Sequence, residues 1–367
     1  MNSNRSQRKS HSEKWREGRS TVLGLCRFEM YMNRHSIRNS IAKHRIKVRQ
    51  SLSFCLAVLS CSACVANVWV APQETESPTA NVQTTARVEF DERKLAANGI
   101  QSFKGKHVIL HTDVRDRPDV NELADVFDLA VPQWCEFFGV DSPKAQSWQQ
   151  DASIILDQNR FVRAGLFPAD VPEFLAGFQR GPQIWVYIQQ GDYYTRHLLL
   201  HEGTHGFMAQ FLGGLGAPWY SEGMAELVSL NQWRDGQLKI AHRITSRDEV
   251  PYWGRVLLIR QAVARGELKT LDDVLAIPGS AFRQVESYAW AWAACEFLSH
   301  HPLSERSFAE LSAHCAEDAL TFNRRLTEAL KTSWSELEFE WREFLIEIDY
   351  GFDVARAAIA PADAGGE

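Results

Sequence analysis

Five consecutive residues, His201-Glu202-Gly203-Thr204-His205, carry the most chemistry in this 367-residue sequence. Two His at i and i+4 face the same side of a helix, one turn apart. That spacing lets two imidazoles reach one tetrahedral Zn2+ at about 2.0–2.1 Å. Glu202 follows the first of them. Its carboxylate is suited to take a proton from a water whose pKa falls to roughly 7 on such a metal. Leu198, Leu199 and Leu200 before the motif and Phe207 and Met208 after it suit a buried helix, where polar residues need a reason to be inside. In a chain with twelve His, HExxH arises by chance at the level of about a few per cent. The reading therefore needs a companion motif.

The companion follows directly. Gly213, Gly214, Gly216 and Pro218 break the helix and turn the chain. Next comes Trp219-Tyr220-Ser221-Glu222-Gly223-Met224-Ala225-Glu226. Ser221 is expected to cap a second helix, with Glu222 in its first turn and Glu226 one turn later on the same face. Packed against the first helix, this one would bring Glu222 to the metal as a third ligand. Glu226 would then accept a hydrogen bond from the free ring nitrogen of a ligand His, since ligand imidazoles nearly always have such a partner.

With HEGTH followed by a loop and SEGMAE, the sequence resembles the gluzincin metallopeptidases, the thermolysin and aminopeptidase N-type pattern of HExxH and then an ExxxD/E helix. It is closer still to the peptidase-MA-like domains of exported bacterial proteins, which show HExxH and then WxxEGxAE. The resemblance is strongest over 183–230 and extends more weakly to about 300. The gap from His205 to Glu222 is a little shorter than in the thermolysin and aminopeptidase N groups. The Gly-x-Met-x-Asn motif of aminopeptidases is absent, so the resemblance does not reach that activity. It implies an α+β, zincin-like fold and an exported zinc-dependent metallopeptidase, with a water in the fourth position of the zinc and Glu202 as general base. It also implies that the strand before the active helix, Gln183–Gln189 (QIWVYIQ), is an edge strand that holds extended peptide by β-addition; a simple buried strand is the other reading. A Tyr or His of the helical part is expected to donate to the oxyanion. Tyr288, in ESYAWAWAACEFL, resembles the Tyr that opens a helix downstream of the metal site, and His242 is the runner-up.

Other candidates weigh less. His197 lies one turn before His201; a fourth protein ligand would close the site, so a supporting or pocket-wall position is expected. His300 and His301 close a helix and are expected to meet its last carbonyls. His107 and His111 flank a strand with no partner apparent in the sequence. Trp290 and Trp292 read as core. The sequence has no P-loop, dinucleotide fingerprint or GxSxG elbow.

Strand-like and helix-like segments alternate from Arg87 to about Gln190. HVILHT (107–112), SIILD (153–157) and QIWVYIQ are rich in β-branched and aromatic residues. Residues 119–138 carry apolar side chains at helical spacing. From Tyr193 the chain reads mostly helical, over 194–212, 221–231, 252–266, 270–277, 286–300, 304–330 with a break, and 334–349. The expected organisation is a small mixed α/β subdomain over 91–190 and a helical zinc-binding subdomain over 191–350, with the active site between them. A linker over 67–90 precedes them and a flexible tail over 351–367 follows.

Charge is distributed unevenly. Residues 1–50 hold thirteen Lys/Arg and three Asp/Glu, while the remainder holds 27 and 43. An acidic body argues against a nucleic-acid partner, because phosphate binding needs a basic face. The basic start runs into SLSFCLAVLSCSACVA (51–66), a pattern of n-region, short apolar h-region and small residues that reads as a secretory signal. The stretch is short and Ser/Cys-rich for a membrane span, an uncleaved anchor being the rival reading. Residues 1–29 are expected to lie upstream of the true start, since Met30 or Met32 gives an n-region of ordinary length. Export leaves Cys135, Cys295 and Cys315, either as three buried thiols or with one Cys295–Cys315 bridge. The expected partner is a peptide or protein substrate. A non-catalytic zinc- and peptide- or glycan-binding module of the cell envelope is the alternative, and the intact Glu202 speaks against it.

Overall fold

The computed structural model describes residues 90–359. The basic segment, the signal-like stretch and the linker expected over 1–66 and 67–90 lie almost wholly outside these residues, as does the end of the tail. The described chain is mixed α/β: mainly helical, with one five-stranded sheet and one small hairpin.

The first half builds the sheet. Helix α1 (Glu92–Ala97) starts where the Asp91 carboxylate accepts from the amides of Arg93 and Lys94, an N-cap that satisfies donors the helix leaves free. Strands β1 (Gln101–Lys104) and β2 (Val108–Thr112) follow, and then the short helix α2 (Pro118–Asn121). Helix α3 (Leu123–Phe138) has its expected apolar stripe and stops at Gly139, whose φ of 66° is a left-handed cap. A single turn, α4 (Ser142–Ala145), leads to β3 (Gln150–Ile155), α5 (Gln158–Ala164), β4 (Gly177–Arg180) and β5 (Gln183–Tyr187).

The sheet order is β1-β2-β3-β5-β4; the three central strands are parallel and both outer strands antiparallel. Consecutive side chains alternate between its faces. Ile184 and Val186 join the main core under the helices, while Trp185 packs on the opposite face with Ile155 and Phe161. Gln183–Tyr187 is therefore an internal strand, which corrects the expectation that it forms the edge. The edge on this side is β4, four half-buried residues joined to β5 through Gly181 and Pro182.

The second half is helical, with one exception. Helices α6 (Asp192–Phe211) and α7 (Pro218–Val228) form a tight pair. A hairpin of β6 (Gln232–Arg234) and β7 (Gln237–Lys239) follows, turning on Asp235 and Gly236 at φ 51° and 72°, the conformation that an Asp-Gly turn favours. Then come α8 (Arg255–Ala264), α9 (Leu271–Leu275), α10 (Val285–His300), α11 (Glu305–Glu310), α12 (Ala319–Ala329), α13 (Trp334–Glu347) and α14 (Val354–Ile359). One core cluster runs from Val108 in β2 to Val354 in α14, so sheet and helices share a continuous interior. Cys135, Cys295 and Cys315 are free, buried thiols, which excludes the Cys295–Cys315 bridge. Among the described residues no helix is long and apolar enough to cross a membrane.

Candidate metal centre

Helix α6 is buried on nearly every side from Tyr193 to Met208. One face meets α3: a Cβ at Gly203 would come within 2.7 Å of Phe127 and Trp134, so this position in HEGTH must be glycine for α3 to pack there. A second face carries His197, His201 and His205 at successive turns towards α7 and α8. Helix α7 is pressed onto α10 at Gly223, where a Cβ would collide with the Ala291 carbonyl and come within about 2.5 Å of the Cys295 thiol. The helix starts at Pro218, with Ala217 as N-cap, rather than at Ser221. Ser221 is thus inside the helix, and its hydroxyl lies 3.2 Å from His205 Nδ1.

These contacts bring the expected ligands together. His201 Nε2 is 3.2 Å from Glu222 Oε2 and 3.2 Å from His205 Nε2, and His205 Nε2 is 3.4 Å from Glu222 Oε2. In a tetrahedral site with bonds of about 2.0–2.1 Å, neighbouring ligand atoms are separated by about 3.3 Å. The triangle has that size. The free ring nitrogens face outward to partners: His205 Nδ1 towards Ser221 Oγ, and His201 Nδ1 towards Glu226 Oε1 at 3.6 Å.

Charge supports the same reading. Burial alone would raise the Glu222 carboxyl, but His205 and His201 hold it down at about 2. Glu202 is pushed up to about 8, chiefly by burial, with Glu222 and Glu226 adding to the effect and His205 opposing it. No Lys or Arg among the described residues pairs with either carboxylate. Two imidazoles and the Glu222 carboxylate, with no Lys or Arg partner, make a donor set that fits a divalent cation.

A second group, His197, His201 and Glu226, is also close enough to be considered. There, however, the Glu226 oxygens are already used. Arg255 donates through Nη2 at 2.8 Å and Nε at 3.1 Å, and Trp253 donates through Nε1 at 2.8 Å. A guanidinium in direct contact repels a metal ion, so this carboxylate supports the centre rather than ligating it. His197 Nδ1 lies 3.2 Å from the accepting carbonyl oxygen of Ser229, and its Nε2 faces Glu226 Oε2 at 3.4 Å.

Glu202 turns away from α3 towards β4. Gly177 lies so near that a Cβ there would sit 3.0 Å from Glu202 Cγ and Cδ. Tyr187 N donates to Ala176 O beside this strand. In that antiparallel register Gly177 and Gln179 turn their backbone groups away from β5, to the open edge. Tyr288, in the first turn of α10, has its ring 6.0 Å from that of His201 and under the Arg255 guanidinium at 5.6 Å. Burial, reinforced by Glu222 and Glu202, pushes its phenol well above the ordinary value, which keeps it a proton donor at neutral pH.

His242 is not part of this group; it pairs with Glu249 at 3.3 Å. His300 meets the Glu296 carbonyl, as expected of a helix end, and His301 bonds Glu340. His107 and His111 find Trp148 O and Ser102 Oγ. Ser221, Trp253, Arg255 and Gly177 are the site residues that sequence reasoning missed. No known family model matches the chain, and no curated protein matches it.

Proposed function

We propose that the chain is an exported, zinc-dependent metallopeptidase of gluzincin type with a zincin-like arrangement of its two halves. The observation that carries this reading is the triangle of His201, His205 and Glu222, with Glu202 one residue from the first ligand and buried beside an open strand edge. Zinc, when bound, would polarise a peptide carbonyl and acidify a water. Glu202 is the group that accepts the proton and returns it to the leaving amine; its raised proton affinity suits both halves of that task. Tyr288, held protonated, is the donor for the developing oxyanion. Gly177 and Gln179 offer backbone hydrogen bonds to an extended peptide, so the edge role belongs to β4. The partner is a peptide or protein; the acidic body is unsuited to nucleic acid. Export rests on the signal-like stretch over 51–66, with membrane attachment through that segment as the rival.

The test compares wild type with Glu222→Ala and Glu202→Gln, reading zinc by mass spectrometry and hydrolysis of casein and mixed short peptides. About one zinc per wild-type chain is expected, sharply reduced in Glu222→Ala. Glu202→Gln is expected to retain zinc and lose a factor of roughly 10²–10⁴ in turnover. Wild-type hydrolysis by Glu202→Gln would refute the assignment of the base. Absence of zinc from reconstituted wild type would refute the site.

A further inference from the structure

Glu226 is more heavily held than a carboxylate orienting one imidazole needs to be. Arg255 clamps both of its oxygens, and Trp253 adds a third donor. Both donors come from one short segment entering α8. The residue before them, Tyr252, has φ 69° without being glycine. Backbone in that region is unfavourable for an ordinary side chain and persists where the surroundings impose it. Arg255 is itself buried, and its guanidinium covers the Tyr288 ring at 5.6 Å. One side chain thus touches the carboxylate behind His201 and the phenol in front of it.

We propose that Arg255 is a positioning residue that fixes the metal-binding imidazole and Tyr288 in one geometry, acting on His201 through Glu226 and on Tyr288 through its ring face. The proposal builds on the zinc-peptidase reading. A purely structural Arg255 would serve to place a positive charge beside buried Glu226, and lysine also carries one. The geometric role needs the planar fork, which grips two oxygens and stacks at the same time; lysine has neither property.

The discriminating variant is therefore Arg255→Lys in the full chain. Its readouts are the zinc dissociation constant by competition with a chromophoric chelator, kcat and KM separately, and the thermal midpoint of the metal-free protein. Supporting contacts of this kind are worth roughly 10–100-fold in metal affinity or activity. Expected are a zinc Kd raised by about that factor, kcat reduced by about tenfold or more, and KM within about twofold of wild type. Wild-type zinc affinity together with wild-type kcat in Arg255→Lys overturns the proposal. If Arg255→Lys does not fold, Trp253→Phe replaces it. That variant removes one neutral donor from the same carboxylate and leaves the charges paired. A several-fold rise in zinc Kd is expected, and no change overturns the proposal. A wild type that binds zinc but cleaves nothing refutes the peptidase reading alone, because zinc affinity still decides the role of Arg255. A wild type that binds no zinc overturns both.

Discussion

Replacing Gly177 by alanine adds one methyl group between the edge strand and Glu202, the proposed general base. Its carbon would lie 3.0 Å from Glu202 Cγ and Cδ and nearer still to Oε1. Ordinary contacts begin near 3.4 Å, so the carboxylate must withdraw by roughly 0.5–1 Å. The obstruction is the far end of a flexible side chain, and no positive φ stands against alanine at this position, so the fold absorbs the change cheaply. Catalysis does not, because a misplacement of about 1 Å costs on the order of 10²-fold. Of the proposed metal ligands, His201 and His205 lie on another face of α6 and Glu222 lies on α7, so none is touched. Expected for Gly177→Ala are a full complement of zinc, a melting temperature within a few degrees of wild type, and kcat/KM lower by about 100-fold. Gln179→Ala, on the same edge but without this contact, serves as the control. The assay is hydrolysis of a quenched-fluorescence peptide under single-turnover conditions, with zinc measured on the same samples. A Gly177→Ala protein with zinc bound and kcat/KM within threefold of wild type would show that Glu202 is not held by β4, and the argument for its placement would fall.

Two further outcomes follow from the same geometry. Ser221→Ala removes the partner of His205 Nδ1. Zinc affinity is expected to fall by about tenfold, while the metal-free protein loses only about 1 kcal/mol for one hydrogen bond; competitive zinc titration beside calorimetry separates the two effects, and unchanged affinity would reject Ser221 as a support. Removing zinc from wild type is expected to lower the melting temperature by about ten degrees, since a ligand at a thousand times its Kd contributes about 4 kcal/mol and each kcal/mol shifts a domain of 150–250 residues by about 2–4 °C. The midpoint of Glu222→Ala should be nearly indifferent to chelator, and an equal shift in both proteins would locate the zinc elsewhere.

Much of this centre was legible because its constraints are local. His201 and His205 share a helix face by spacing alone, and Glu222 and Glu226 share the next one. The same holds for the long helices and the three central strands, whose apolar pattern matches their burial. The failures have physical causes. Strand β4 lies in a run with Pro168, Pro172 and Pro182, is four residues long and only half-buried, so it has no alternation to read. Its neighbour β5 therefore reads as the edge. The β6–β7 hairpin carries a signal, Asp235-Gly236, in the stretch between the helices expected over 221–231 and 252–266. Ser221 looked like a cap, but Pro218 starts the helix three residues earlier, where its missing N–H costs nothing. Arg255 had no signal at all: it lies 29 residues from Glu226 in sequence, and only the packing of α8 brings them together.

The distribution of charge around α6 gives these details a common cause. A helix buried on nearly every side has to hold His197, His201, Glu202 and His205 away from water, with Glu222 and Glu226 facing it from α7. Glu226 is neutralised by Arg255, in a pair so well satisfied that burial fails to raise its carboxyl, which stays well below the ordinary range. Glu222 and Glu202 have no such partner among the described residues. An arrangement selected for stability alone would have replaced them with apolar residues of similar size. The chain instead keeps two carboxyl groups without a Lys or Arg partner beside two imidazoles, and the helices that carry them close onto their neighbours at Gly203 and Gly223, where any side chain would collide, while Gly177 leaves room for the Glu202 carboxylate. Such a centre is costly as a metal-free core and favourable as a cation site. On this reading the energy of metal binding contributes to the stability of the fold, and the glycines are the places where close packing and the position of the base are set together.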